Sequence, residues 1–252
     1  MDVQSRHQII MQALHDRSPV LVGELAAALE CSEMTVRRDL ESLERSGGLR
    51  RVHGGAASVF LSAEETPYDI RALESREAKV AIGSAAAGLL SDGETVILDG
   101  GTTAMEVARA LRSRRMTVMP LALRPVLELH ECPGINVLLP GGEVRPGELS
   151  FTGGLTERSL SQLRFDTFVM GPCGIDATAG ITTHLLAETV VKRSAAKTSQ
   201  RVIVVADSSK LGRVAFGHVC DLDDIDIVLT NIGANQQVVG ELRDAGVDVR
   251  CV

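Results

Sequence analysis

From Lys79 onwards, short runs rich in β-branched residues alternate with longer segments of helical spacing. "TVILD", "MTVMPL", "INVLLP", "TFVMG", "RVIVVAD" and "IDIVLTN" read as strands. "KVAIGSAAAGLL", "TTAMEVARAL", "RPVLELHE" and "LLAETVVKRSAAKT" read as helices. Strands that return through helices run parallel, and a parallel sheet needs cover on both faces. The pattern predicts an α/β domain with a mostly parallel sheet over residues 79–252. Aromatic residues make up only 2% of the chain, with no Trp, so this core must rest on Val, Leu, Ile and Ala.

The first 57 residues follow a different pattern. Ile9, Ile10, Ala13 and Leu14 recur at helical spacing between Val3 and Arg17, and Pro19 breaks the run. A second helix is expected from about Gly23 to Leu29, then a tight turn at Glu30 and Cys31. Ser32 is placed to cap a third helix by accepting a hydrogen bond from a free amide of its first turn. In that helix Val36, Leu40 and Leu43 share one face, and Gly47-Gly48 is expected to end it. "LRRVHGG" reads as a short strand entering a turn, the shape of a wing. Residues 58–78 have mixed polarity and read as a linker with a connecting helix. The domains are therefore drawn at 1–57, 58–78 and 79–252.

A formal charge of −7 argues at first against a nucleic-acid partner. Screening, however, confines exposed charges to roughly 8 Å at physiological salt, so local composition decides. Residues 45–56 carry Arg45, Arg50 and Arg51 with no acid, whereas beyond residue 57 there are 25 acidic residues against 19 Lys and Arg. Five scattered cysteines without a C-x-x-C pair suit a reducing cytosol better than a disulfide framework or a zinc site. No apolar run reaches the length of a membrane helix, and "MDVQSRHQII" lacks the order of a signal peptide. A cytoplasmic location without membrane contact is expected, with no metal and no cofactor.

At about 100° per residue, a third helix with Val36 turned inward shows Met34, Arg38, Glu41 and Arg45 on its outer face. Thr35 and Arg37 flank that face. A helix of this kind enters the DNA major groove, where Arg bonds guanine edges and phosphates. Ser32, Met34, Thr35, Arg37 and Arg38 are the candidate DNA contacts on the helix, and Arg51 and His53 those on the wing. The plainer reading is a solvated face with i,i+4 pairs such as Arg37 with Glu41. In the larger domain, "TVILDGGTTAMEVARAL" is a strand, a glycine turn and a helix opening on Thr102 and Thr103. Free amides and the dipole make such a helix start an anion site, and glycines let a phosphate approach. A simple Thr-capped turn accounts for the same residues. Gly141 and Gly142 either border the same crevice or only form a turn.

"ELAAALECSEMTVRRDLESLERSGGLRRVHGGA" resembles the N-terminal winged helix-turn-helix of DeoR-type bacterial transcriptional regulators. "ETPYDIRALESREAK", "VILDGGTT", "LLPGGEV", "FTGG", "FDTFVMGPCGID", "GITT" and "ADSSKLG" resemble, in order, the sensor domain of that family. The resemblance implies a ribose-5-phosphate-isomerase-like sensor that binds a phosphorylated sugar or related metabolite. It also implies operator DNA as partner, a homo-oligomer joined through the larger domains, and a repressor of a carbohydrate operon, nucleoid-associated through its operator. It places Asp99, Gly100, Gly101, Thr102, Thr103, Gly141, Gly142, Asp176, Glu188, Lys192 and Lys210 about the effector. Each has a plainer reading: a turn for Asp176, a helix-surface pair for Glu188 and Lys192, a surface cation for Lys210, and for Cys173 a buried small residue. Pro120-Leu121-Ala122 replaces the family's usual Thr-Asn-Ser, and Asn231 its usual Asp. These departures imply either a ligand with a different hydroxyl pattern or a site without its usual function. The competing function is a sugar-phosphate isomerase or deaminase with an accessory domain, although the "DGADE"-like acidic cluster of such isomerases is missing. A regulator answering only to a protein partner is a third.

Overall fold

In the computed structural model, which describes residues 2–16, 19–45, 49–52, 54–58 and 67–252, the apolar stripes of the first sixty residues close on one another. They form α1 (Val3–Asp16), β1 (Val20–Leu21), α2 (Val22–Ala28), α3 (Glu33–Arg45), β2 (Leu49–Val52) and β3 (Gly55–Ser58). Ile10, Leu14, Leu25, Leu29, Val36, Leu40, Leu43 and Leu49 are buried together. Each such side chain contributes about 1.5–3 kcal/mol relative to exposure, which holds short helices that would not persist alone. Glu30 takes a left-handed φ of 50° in the turn before α3. The Ser32 hydroxyl then accepts the Thr35 amide at 3.2 Å, the expected cap. The three strands form an antiparallel sheet in the order β1-β3-β2, so the wing is a hairpin seated on the helices. Gly47, Gly48 and His53 lie outside the described residues.

The chain divides into two units, Met1–Leu61 and Ser62–Val252, so the expected connecting helix falls in the larger one. That unit runs α4 (Tyr68–Leu73), α5 (Arg76–Gly88), β4 (Thr95–Leu98), α6 (Thr102–Leu111), β5 (Met116–Pro120), α7 (Leu123–Leu129) and β6 (Ile135–Val137). It continues with β7 (Glu143–Val144), β8 (Phe151–Thr152), α8 (Gly154–Ser161), β9 (Phe165–Met170), β10 (Gly174–Asp176) and β11 (Gly180–Thr183). Then come α9 (Leu186–Thr198), β12 (Ser199–Val205), β13 (Gly217–Cys220), β14 (Ile227–Thr230), α10 (Gln236–Asp244) and β15 (Asp248–Cys251).

Seven of these strands make one parallel sheet in the order β15-β14-β12-β9-β4-β5-β6. Alternation along each strand feeds two cores. Val96 and Leu98 pack with Val169, Ile203 and Val205 beneath Ile82, Val107 and Leu111 of α5 and α6. Ile97 points the other way and packs with Phe168, Val202 and Val204 beneath Leu160, Val191 and Val239 of α8, α9 and α10. A mixed α/β fold with a parallel sheet was the expectation. Pro120 is tolerated because it is the last residue of β5, where only β4 still pairs with it. A hairpin of β7 and β8, and an antiparallel sheet of order β10-β11-β13, lie outside the alternating pattern.

The strand order sets the site. The chain leaves β4 toward β5 and β6, and later places β9 on the opposite side of β4. A crevice opens where the winding reverses, at the carboxyl ends of neighbouring strands. Those ends are Asp99-Gly100-Gly101 after β4 and Gly171-Pro172 after β9, and both line one cleft.

Candidate functional site

In the smaller unit, α3 turns Met34, Arg37, Arg38 and Glu41 to solvent and keeps Thr35 half-buried. Asp39, on the inner side of α3, fixes the helix about its own axis. Its two carboxylate oxygens accept Arg6 Nε at 2.7 Å and a second Arg6 nitrogen at 3.1 Å. His7 Nε2 lies 3.5 Å from the same carboxylate. The plainer reading's pair of Arg37 with Glu41 is not among the ion pairs of the described residues. Arg37 reaches back one turn to Glu33 at 2.9 Å, and Glu41 instead holds Arg51 of the wing at 3.0 Å. The Arg51 amide also donates to Glu44 at 2.9 Å, which pins the wing to α3. Arg38 is exposed and has no ion-pair partner among the described residues.

In the larger unit, the cleft brings together Asp99, Gly100, Gly101, Thr102, Thr103, Glu188, Lys192 and Lys210. Gly101 stands before α6 at a φ of 88°, a left-handed backbone natural only to glycine. The first amides of α6 have no partner within the helix, so the positive end of its dipole faces the cleft. Thr102 and Thr103 are buried there, and no hydrogen bond engages their hydroxyls among the described residues. Lys210 ends a 3-10 turn, Ser208–Lys210, capped by Asp207 through the Ser209 amide at 2.9 Å. Asn231 steadies the same turn by accepting the Ser208 amide at 2.7 Å. An amide oxygen thus serves where the resemblance leads one to expect a carboxylate. Lys210 itself has no ion-pair partner among the described residues.

Two acids of the cleft, Asp99 and Glu188, are already committed to cations. Asp99 accepts Gly100 N at 2.8 Å and Gly171 N at 2.9 Å, and pairs with Lys192 at 2.8 Å. Lys192 also donates to the Gly171 carbonyl at 2.6 Å. Burial raises the Asp99 carboxyl, while Lys192 and the two amides pull it back. For Lys192, burial lowers the pKa, but Asp99, Cys173 and Glu188 outweigh it and the ammonium is favoured. The group therefore works as a buried ion pair tying β4, β9 and α9 together. Glu188 accepts Ser150 at 2.6 Å and Arg145 at 3.0 Å. Burial would raise its pKa, yet the Lys192 charge, Ser150 and Arg145 leave it lowered. The plainer reading of Glu188 and Lys192 as a helix-surface pair does not hold: both are buried in the cleft lining, each with a different counter-charge.

Three expected site residues fall elsewhere. Asp176 accepts the Thr178 and Ala179 amides at 2.9 Å and builds a turn. Gly141 and Gly142 do not line the cleft. The Gly141 carbonyl accepts Thr156 at 2.8 Å, and a Cβ on Gly142 would collide with the Thr152 carbonyl and the Thr156 hydroxyl. Both are turn glycines. Arg71, Glu148, Ser150 and Phe151 line the cleft without having been read from the sequence. They sit on a short helix and on a connection with no periodic pattern. Cys173 also lines the cleft, half-buried, with its sulfur 3.4 Å from the Thr183 hydroxyl. Leu121 contributes an apolar wall in the Pro120-Leu121-Ala122 stretch.

The DeoR-like helix-turn-helix domain family matches residues 6–60, and the DeoR C terminal sensor domain family matches residues 74–231. The transcriptional repressor AccR of Agrobacterium fabrum is 36% identical over 232 residues, covering 91% of this chain and 90% of that protein. The HTH-type transcriptional regulator GolR of Listeria innocua is 32% identical over 248 residues, 97% of each chain. A lactose phosphotransferase system repressor of Staphylococcus epidermidis is 31% identical over 235 residues, covering 92% of this chain and 93% of that one. Among solved structures, ribose 5-phosphate isomerase A of Methanocaldococcus jannaschii aligns with a TM-score of 0.41 at 15% identity, over 54% of this chain and 55% of that one.

Proposed function

Since the chain belongs to the DeoR family of DNA-binding transcriptional regulators, we propose that it represses a carbohydrate-metabolism operon and leaves its operator when a phosphorylated sugar or related metabolite fills the cleft. The observation that carries this reading is the start of α6. Unpaired amides, two buried hydroxyls and the uncommitted Lys210 converge on one crevice, a chemistry suited to a phosphate. Names of relatives that include a lactose system repressor favour a sugar as the remainder of the ligand. Leu121 and Phe151 in the lining favour a ligand whose far end is less polar than an ordinary hexose phosphate. A thermal-shift screen of sugar phosphates tests the reading, because a ligand that binds only the folded state raises the melting temperature. No shift with any phosphorylated sugar would sink it.

An enzymatic role is the weaker reading. General acid–base catalysis needs a positioned side chain, commonly a His or a carboxyl, free to take or give a proton near the substrate. Asp99, Glu148 and Glu188 are each engaged by a cation. Turnover of any sugar phosphate in that screen would reverse the preference.

On the DNA side, Arg38 is the proposed base-reading residue, with Met34, Thr35 and Arg37 beside it, Ser32 at the cap and Arg51 on the wing. Arg38→Ala is expected to weaken operator binding by about 1–3 kcal/mol and relax its specificity, as for loss of a bidentate base contact. Arg37→Ala should cost less, because Arg37 must first leave Glu33. A gel shift with unchanged affinity in both variants would take α3 out of the groove. The chain is proposed to act as a homo-oligomer whose heads read half-sites roughly 10 bp or a multiple apart. Light scattering at working concentration should give more than the monomer mass. A monomer with full operator affinity contradicts the proposal.

A further inference from the structure

Helix α4 is the first described element after the wing in chain order, with only residues 59–66 and Pro67 between them. It is six residues long, and none of its residues is fully buried. Ile70 is 52% exposed and Leu73 79%, so apolar burial does not seat it. Polar ties do. Arg71 enters the cleft and pairs there with Glu148, both side chains nearly buried. Tyr68 lies beneath the Arg124 guanidinium, 3.8 Å from ring centre to charge, and Arg124 donates to the Gly147 carbonyl at 3.2 Å. Lys79, almost fully buried, caps the end of α4 by donating to the carbonyls of Arg71 and, at 2.8 Å, of Glu74. Its ammonium is 3.9 Å from Asp207, the residue that caps the turn presenting Lys210.

We propose that the Arg71–Glu148 pair is an anion-operated latch on α4. The seat of this helix is electrostatic and lies within the effector cleft, so a second anion there competes for the same guanidinium. Bidentate recognition suits Arg to carboxylate and phosphate alike. When the anionic group of the ligand engages Arg71, Glu148 loses its counter-charge and α4 is held by the ligand instead of by the 145–150 connection. Chain continuity then carries that change toward the DNA-binding head. A ligand shifts such an equilibrium only through its differential affinity for the two seats, and Arg71 supplies one. The ligand half of this proposal rests on the anion reading of the cleft. The latch itself does not.

The test separates the two by starting without ligand. Glu148→Gln keeps the shape but removes the charge, so the full-length variant should show faster amide exchange in residues 68–74 than the wild type. The rest of the larger unit should exchange as before. Affinity for operator DNA, selected from random sequence with the wild-type chain, should fall roughly tenfold, the equivalent of one lost charge-assisted bond. Arg71→Lys, which keeps the charge and loses the fork, should give a smaller change of the same kind. In the wild type, saturating glucose 6-phosphate should alter exchange in the same residues. If Glu148→Gln leaves both α4 exchange and operator affinity at wild-type values, the latch is wrong. It is equally wrong if exchange rises throughout the larger unit while operator affinity holds. If glucose 6-phosphate raises the melting temperature without changing α4 exchange, the anion site stands and the latch falls. If neither glucose 6-phosphate nor inorganic phosphate shifts the melting temperature, but Glu148→Gln shows both ligand-free effects, the latch stands and the anion reading falls.

Discussion

Lys192→Met is expected to destabilise the larger unit by about 3–5 kcal/mol, the usual cost of breaking a buried ion pair from one side. Methionine fills nearly the same space, so packing is not the issue. The loss arises because Asp99, 3% exposed, would keep two backbone amides but no counter-charge. Asp99 also closes the loop after β4 onto the loop after β9, so the strain falls at the reversal of the sheet order, where the cleft opens. Urea denaturation should show an earlier midpoint for the larger unit with an unchanged slope. Adding Asp99→Asn should recover part of the loss, since a neutral acceptor no longer needs the ammonium. The result also decides between two roles for Lys192. A wild-type urea curve with weakened sugar-phosphate binding would make it a ligand contact instead of a staple.

How such a pair escaped the sequence is instructive. Glu188 and Lys192 are four residues apart on a helix, which is the signature of a local surface pair. Spacing alone cannot say which side of a helix faces the sheet when apolar and charged residues are mixed, as they are in "LLAETVVKRSAAKT". Local signals were sufficient where one face was cleanly apolar. Val36, Leu40 and Leu43 fixed the rotation of α3, and the Ser32 cap fixed its start. Strand "TVIL" and helix "TTAMEVARAL" were equally legible, because β-branched runs and glycine turns act within a few residues. The order of strands was not legible, since pairing β4 with both β5 and β9 depends on partners far apart in the chain. Arg71, Glu148 and Ser150 therefore reached the cleft unannounced. Gly141 and Gly142 show the converse: a glycine after a strand can be required by a close backbone approach, as at Gly142, or by a left-handed φ, as the 72° of Gly141.

Thr103→Val and Lys210→Ala are each expected to leave operator binding intact while raising the effector concentration needed for release by roughly ten- to a hundredfold. Both residues belong to the larger unit, and the DNA-binding surface lies in the smaller one. Valine matches threonine in shape, so α6 should start as before with one hydroxyl donor fewer. Lys210 has no ion-pair partner among the described residues, so its removal should strand no acid and cost little stability. The magnitude follows from about 1.5–3 kcal/mol for a hydrogen bond to a charged group, converted at 1.4 kcal/mol per decade. An effector drives release only through the difference between its affinities for the operator-bound and free states, so weaker contacts in the cleft move the whole release curve. Release is to be followed by fluorescence anisotropy of labelled operator against sugar phosphate, with unliganded affinity measured in parallel. The two variants should differ in salt dependence. The Lys210 contact is a point charge that screening weakens, whereas the Thr103 contact is a short neutral donor in a buried position. If both variants release operator at wild-type concentrations, the anion lies away from the start of α6. The next place to look would then be Arg71, the remaining cation in the lining.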